Sequence, residues 1–261
     1  MALTAVELKY NLKKTPIGCG TFSQVFEAKH KKTGKTFAVK ILNAKNLAME
    51  NVAKELKVHS IVKHPNIVEM RDYFCGSQIC FVFDFVNGRC FYDFMDSLTD
   101  ILDLEVVKSM FVQMIDALSH CHSRKVAHRD IKLENFLLEN KTNKIYLIDF
   151  GLCFIAEKKD TAEDFVGSQH YIAPEVKQLK EYCPFKADVY SLGVVLYAMV
   201  FCRIPYFFNW GKDWGKVRFP TGLPKIYQPV KDLLEKMLWP YPLERISLQG
   251  ITKHPWIADK K

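Results

Sequence analysis

"VAHRDIKLENFLL", residues 126–138, and "IYLIDFGL", residues 145–152, decide how this chain is read. The first sets His128, Arg129, Asp130, Lys132 and Asn135 among apolar neighbours. The second places Asp149 directly before Phe150 and Gly151. Neither stretch is specific alone. Their weight depends on what stands before and after them in the chain.

Upstream, residues 10–42 consist of short aromatic and β-branched runs broken by Gly-bearing turns. "KHKKTGKTFAVKIL", 29–42, reads as strand, basic turn, strand, with the Lys run at a solvated hairpin tip. Residues 47–62 read as a helix stopped by "KHPN" with Pro65. Two further strands follow, "NIVEMRDYF" and "ICFVFDFV". After Asn87-Gly88 the period changes. In "DLEVVKSMFVQMIDALSHCHS", Leu104, Val107, Phe111, Met114, Ile115 and Leu118 recur at three- and four-residue steps, one face of an amphipathic helix. The remainder is mainly helical. The pattern predicts an α+β fold: a small β lobe with one helix (1–83), a hinge (84–88) and a larger helical lobe (89–261), with the ligand site in the cleft between lobes.

The 261 residues suffice for a sizeable core, and half are hydrophobic, as in an ordinary globular chain. The 37 basic against 29 acidic residues give a mild positive charge that reads as a solvated surface, with no nucleic-acid or membrane partner expected. The eight cysteines lack C-x-x-C pairing and suit free thiols in a reducing compartment. "HCH" at 120–122 and the Cys75/Cys80 pair have no second pair at zinc-finger spacing, so they read as core or surface residues. The N-terminus lacks a signal-peptide core, and Ala2 excludes N-myristoylation. "LGVVLYAMVFC", 192–202, is too short to span a bilayer and reads as a buried helix. The expected location is the cytoplasm, with entry to the nucleus open.

"IGCGTFSQVF", 17–26, places Gly18 and Gly20 in a strand-turn-strand, where backbone N–H groups can approach phosphate oxygens without a Cβ in the way. A dinucleotide fingerprint would need a helix after the glycines, but "SQVFEAKH" reads as a strand. "TGKT", 33–36, lacks the earlier glycine of a Walker A loop, having Lys29 there. In "FAVKIL", 37–42, Lys40 among apolar neighbours needs charged partners, and Glu55 on the following helix and phosphates are the candidates.

Taken together, Gly18-x-Gly20-x-Phe22, Ala38-Val39-Lys40, His128-Arg129-Asp130-x-Lys132-x-x-Asn135, Asp149-Phe150-Gly151 and Ala173-Pro174-Glu175 resemble the eukaryotic protein kinases in order and spacing. The likeness continues through Asp188 to Arg245 and covers nearly the whole chain. It implies ATP and Mg²⁺, with Asp149 and Asn135 as metal ligands and Lys40, held by Glu55, on the phosphates. It implies Asp130 as the group that orients the substrate hydroxyl, and Lys132 as the cation beside the moving phosphate. Ile17, Gly18, Gly20, Val25, Ala38, Asp84 and Val86 would line the nucleotide site, with Phe83 behind the adenine. Glu175 would pair with Arg245. Lys132 and Ser168 mark the Ser/Thr class, so protein hydroxyls are the expected substrates.

"GSQHYIAPEV", "ADVYSLGVVLY" and "HPWI" are most similar to the calcium/calmodulin-dependent group, near the calcium-dependent kinases. No EF-hand loop occurs in the sequence, so calcium control is not implied, and the regulatory partner is unknown. Several positions depart from the family pattern. Ser23 replaces the third glycine, Leu133 replaces a Pro, and His59 takes the place of an apolar residue expected above Phe150 beside Met70. Cys90 and Ala198 stand where acids usually read a substrate Arg, leaving Glu134. The segment 206–220, with Trp210 and Trp214, is short, and its aromatics suit either core or a docking patch. Asp164 stands where many kinases carry a phosphorylated Thr, and pairing with Arg129 is expected. A pseudokinase scaffold on the same fold is the main rival; a small-molecule kinase is a weaker one.

Overall fold

A computed structural model describes residues 5–20, 23–42, 49–76, 78–157, 159–178, 180–207 and 215–259. Five antiparallel strands, β1 (Tyr10–Gly20), β2 (Ser23–His30), β3 (Thr36–Leu42), β4 (Met70–Cys75) and β5 (Ile79–Asp84), form one sheet in the order β1-β2-β3-β5-β4. Phe22 of the glycine motif lies outside the described residues.

The two-residue period of a strand sorts the sheet's faces. Phe37, Val39, Cys80 and Val82 pack with Val6 of helix α1 (Ala5–Lys9) and with Tyr10. Leu42, Ile79 and Phe81 pack instead with Val52 of α2 (Met49–Ile61). Ala38 and Lys40 alternate with Phe37 and Val39, so the pleat turns them to the α2 face. On α2 the buried residues are Val52, Glu55, Val58 and His59. Their three- and four-residue spacing puts Glu55 and His59 on the stripe that meets the sheet.

The strand expected over 66–74 splits. Only Met70 onward joins the five-stranded sheet. Asn66 and Val68 bond instead to Leu147, at 2.8 and 3.1 Å, and Ile67 bridges to the same residue. Buried Asn66 is fixed there by its amide, which donates to Ile145 O at 2.8 Å and Gln113 Oε1 at 3.0 Å. This short piece therefore ties the sheet region to the helical region.

After residue 84 come β6 (Gly88–Cys90), α3 (Phe91–Asp96) and α4 (Leu104–Ser123). Gly88 is required by packing: a Cβ there would stand 2.0 Å from Leu138 O. Helix α4 starts where Asp103 Oδ1 accepts from Glu105 N at 2.7 Å, a side-chain N-cap. Next follow β7 (Val126–Ala127), β8 (Phe136–Glu139), β9 (Ile145–Leu147), β10 (Phe154–Ile155) and α5 (Pro184–Phe201). Strands β6, β8 and β9 form one small sheet and β7 pairs with β10.

The 18 residues of α5 are long and apolar enough to cross a membrane by composition, but 83% of them are buried within the fold. It is the central core helix, packed with Phe111, Met114 and Leu118 of α4 and with Leu233, Leu234 and Met237 of α6 (Gln228–Met237). Each such fully buried side chain contributes about 1.5–3 kcal/mol. Phe207 stacks on Tyr190, and Phe219 packs against Tyr197 and Phe201, so these two aromatics of the 206–220 segment face the core. Trp210 and Trp214 lie outside the described residues.

Of the "HCH" triplet, Cys121 is fully buried and His122 Nε2 meets Asp188 Oδ2 at 2.8 Å. Cys75 is exposed and Cys80 buried.

Candidate active site

The loop between β7 and β8 carries Asp130. Its geometry starts from one buried carboxylate. Asp188 accepts the backbone N–H of His128 at 2.8 Å and that of Arg129 at 2.7 Å. Arg129 sits at φ 65° and Asp149 at φ 64°, a left-handed region that non-glycine residues enter at a cost of about 1–3 kcal/mol. The Asp188 bonds offset that cost at Arg129. His128 Nε2 meets Ile148 O at 3.0 Å, which joins the loop to the strand end that presents Asp149.

Asp130 is held from three sides. Ser168 Oγ donates to its Oδ1 at 2.8 Å, and Asn135 Nδ2 donates to its Oδ2 at 3.0 Å. Lys132 Nζ stands 2.9 Å from Oδ2 and also donates to Ser168 Oγ at 2.7 Å. A carboxylate fixed in this way can orient one incoming hydroxyl.

On the sheet side, Lys40 Nζ lies 2.8 Å from both Glu55 Oε1 and Asp149 Oδ1. Burial pulls the Lys40 ammonium down, but the Asp149 and Glu55 carboxylates outweigh it and hold the group above its ordinary value. Burial pushes Glu55 up despite Lys40, whereas at Asp149 Lys40 overcomes burial and the carboxyl lies below its ordinary value. Asp149 is therefore the better-ionised acid of the pair. Gly151 leaves this triad open, since a Cβ there would come within 3.2 Å of Asp149 Oδ1 and 3.7 Å of Glu55 Oε2.

The donor set fits a hard divalent cation. Asn135 Nδ2 is spent on Asp130 O (2.7 Å) and Oδ2, which leaves its amide oxygen as an acceptor. Asp149 Oδ1 takes Lys40 and the Gly151 N–H (3.3 Å), which leaves Oδ2. One amide and one carboxylate oxygen, with phosphate and water completing the shell, suit Mg²⁺.

The residues expected around the nucleotide fall on neighbouring strands. Gly18 pairs with Val25, Val25 with Lys40, and Ala38 with Phe83. Gly20 lies opposite Ser23, and Ile17 is exposed. The Asp84 side chain is taken up by Lys35 at 3.0 Å and Arg71 at 2.6 Å, so the carboxylate serves the sheet edge. Its N–H goes to Glu69 O at 3.0 Å, and the Val86 carbonyl accepts from Gly88 N at 2.9 Å. Cys90 is half-buried, with Sγ 3.7 Å from Glu134 O, while Ala198 is buried in α5.

Behind Phe83, His59 fills the position above Phe150. Its ring centroid lies 5.1 Å from that of Phe83 and 5.2 Å from that of Phe150, and Phe150 in turn meets His128 at 4.9 Å. His59 Nε2 is buried with no hydrogen-bond partner. Burial, with help from Lys40, pushes the imidazole down to about 4.

The stretch from Leu152 to Tyr182 is tied to Arg129 and to itself at several points. Asp164 Oδ1 lies 2.6 Å from Arg129 Nη1, while Arg129 Nε donates to Leu152 O at 2.7 Å. Tyr182 Oη donates to Asp164 O at 3.0 Å. Sequence reading did not single out Tyr182 or the Asp188 backbone bonds: both partners are remote in the chain, and no local pattern marks them. Further on, Glu175 and Arg245 form a buried two-pronged pair at 2.6 and 2.9 Å, and Arg245 also donates to Trp239 O and Lys186 O.

Comparison with known proteins places this geometry. Residues 11–257 match the family model described as protein kinase domain. CBL-interacting serine/threonine-protein kinase 15 of Arabidopsis thaliana is 34% identical over 263 residues, spanning 95% of this chain and 61% of that protein. Protein kinase kin1 of Schizosaccharomyces pombe is 33% identical over 278 residues, spanning 95% and 30%. Probable serine/threonine-protein kinase MARK-B of Dictyostelium discoideum is 32% identical over 260 residues, spanning 95% and 36%. The chain spans about half to three-fifths of the length of the first curated relatives it matches. These relatives carry CBL-interacting, kin1 and MARK names, which corrects the expected likeness to the calcium/calmodulin-dependent group. With motifs, sheet, catalytic loop and relatives in agreement, the chain belongs to the protein kinase family, in its serine/threonine branch.

Proposed function

We propose that this chain transfers the γ-phosphoryl group of ATP to Ser and Thr hydroxyls of protein substrates. One observation carries the reading: the Lys40–Glu55–Asp149 and Asp130–Lys132–Ser168 triads are assembled at the same time. Phosphoryl transfer depends on positioning and charge neutralisation more than on covalent chemistry. Lys40 grips the α/β-phosphates, kept in place by Glu55. Asp130 orients the substrate hydroxyl and takes its proton. Lys132 balances the charge on the moving phosphoryl group. Asn135 and Asp149 would hold Mg²⁺, which when bound would supply neutralisation of the phosphate oxygens.

Asp164 on Arg129 gives the activation segment a built-in anion, so ordering does not wait for phosphorylation there. One carboxylate carries less charge and fewer acceptors than a phosphate, so this substitute is partial. The rival reading is a scaffold that binds nucleotide or protein without transfer. Labelled γ-phosphate transfer to a Ser/Thr peptide mixture separates them: wild type labels the peptides and Asp149→Asn does not. Equal behaviour of the two proteins refutes the enzyme.

A further inference from the structure

The excess positive charge of this chain is not spread evenly. Residues 1–84 carry 13 Lys and Arg against 7 Asp and Glu, whereas residues 85–261 carry 24 against 22. Within the first part, residues 8–16 and 28–36 hold seven lysines and no acid. These two stretches are neighbours in space. Tyr10 lies opposite His30 and Asn11 opposite Lys29 in the β1–β2 pair, and Lys31 N donates to Lys9 O at 2.9 Å. The turn between β2 and β3 adds Lys32 and Lys35 at the same end. Together they form a basic ribbon in which all seven lysines are exposed.

The acids that reach the ribbon are already committed. Asp72 holds Lys9 at 2.9 Å and Glu27 holds Lys13 at 2.7 Å. Asp84 holds Lys35 at 3.0 Å and also takes Arg71. Lys31 Nζ is spent on the Glu7 carbonyl at 2.6 Å, which supplies no charge. Among the described residues, Lys14, Lys29 and Lys32 make no ion pair. Strand residues rise about 3.3 Å and paired strands lie about 4.8 Å apart. Neighbouring cations therefore stand within about one Debye length, roughly 8 Å at physiological salt, and their potentials add.

We infer that this ribbon is a docking surface for an acidic, extended segment of a partner protein, with Lys14, Lys29 and Lys32 as its free cations. The inference goes beyond the kinase reading and does not depend on it. The run from Lys9 to Lys14 spans roughly 16 Å, the length of about five extended residues, which sets the size of the docked segment. Three features select a protein carboxylate over other polyanions. All seven cations are Lys, mobile point charges, whereas nucleic-acid phosphates are best matched by the planar Arg fork. The one Tyr, Phe or Trp in the two stretches, Tyr10, is buried in the core with Phe37 and Val39, so no ring is presented for a base to stack on. Leu8 is the one large apolar side chain exposed there, which offers a bilayer little surface to take up.

The test is fluorescence anisotropy with a labelled oligoglutamate peptide, a single-stranded oligonucleotide of matched charge, and vesicles containing phosphatidylserine as separate probes. Lys14→Glu/Lys29→Glu/Lys32→Glu reverses the free cations of the ribbon. Lys141→Glu/Lys225→Glu/Lys253→Glu makes the same change in net charge on exposed lysines outside it. Wild type should bind oligoglutamate more tightly than either other probe, and added salt should weaken the complex. The ribbon variant should lose at least tenfold in affinity and the remote variant less than threefold. Lys14→Gln/Lys29→Gln/Lys32→Gln, which adds no acid, should lose at least threefold and decides the matter if the charge-reversed protein does not fold. Peptide phosphorylation by the Gln variant should match wild type, because none of the three lysines touches the nucleotide or the catalytic loop. The inference is overturned if oligoglutamate does not bind, if the remote variant loses as much as the ribbon variant, or if the oligonucleotide or the vesicles bind more tightly. Loss of phosphate transfer by wild type would refute the kinase reading and leave the binding result to stand or fall separately.

Discussion

Replacing His59 by Leu should flatten the acid limb of this protein's stability curve. The imidazole is buried between Phe83 and Phe150 with Nε2 unpartnered, and it is pushed from 6.5 down to about 4. Below pH 6.5 the unfolded chain takes up a proton that the folded chain refuses until about pH 4. Stability from the neutral form is therefore complete above pH 6.5 and is lost as pH falls toward 4. At 1.36 kcal/mol per pH unit the loss is about 2 kcal/mol at pH 5 and about 3 kcal/mol by pH 4. Leu fits the same apolar contacts and has no orphaned nitrogen. At pH 7.5 the variant should be as stable as wild type or better by about 1 kcal/mol. Urea denaturation followed by Trp fluorescence at pH 7.5 and 5.0 reads the effect. With m about 3 kcal/mol/M, the midpoint of wild type should drop about 0.7 M further than that of the variant on going to pH 5.0. Parallel drops in the two proteins would refute the argument, because His59 would then not be the group that resists its proton.

Three other outcomes are expected. Asp164→Ala should lower kcat/KM of unphosphorylated protein several-fold or more by freeing Arg129 Nη1; unchanged activity would end the built-in anion reading. Arg245→Met leaves the Glu175 carboxylate buried and unpaired, which costs about 3–5 kcal/mol; with a fall of about 2–4 °C per kcal/mol, calorimetry should show a drop on the order of 10 °C. A positional peptide library should show weak selection for Arg three residues before the target, because Cys90 and buried Ala198 supply no acid there; strong selection would contradict this.

Much of this protein could be read locally. The order of the motifs carried the family, the α4 periodicity carried the helix, and the alternation in "FAVKIL" marked a strand with one charge out of place. Local pattern failed where pairing is remote. "NIVEMRDYF" looks like one strand, yet its first residues bond to Leu147, a choice made by the buried Asn66 amide and not by propensity. The branch assigned from "GSQHYIAPEV" also failed, because short shared motifs distinguish subgroups poorly when the whole chain is compared.

The sequence by itself determined which groups are present: Lys40, Glu55, Asp130, Asn135, Asp149 and an acid at 164 in place of a Thr. Only the tertiary structure decided that Lys40 meets two carboxylates at once and that Asp130 is held by Ser168 and Lys132. It also decided that Asp188 stabilises a left-handed Arg129 and that Asp164 reaches that same arginine. The reason is physical. Residue type sets what a side chain can donate, accept or ionise, whereas a hydrogen bond forms only within about 3 Å. Partners 35 to 109 positions apart are brought to that distance by packing of the whole chain.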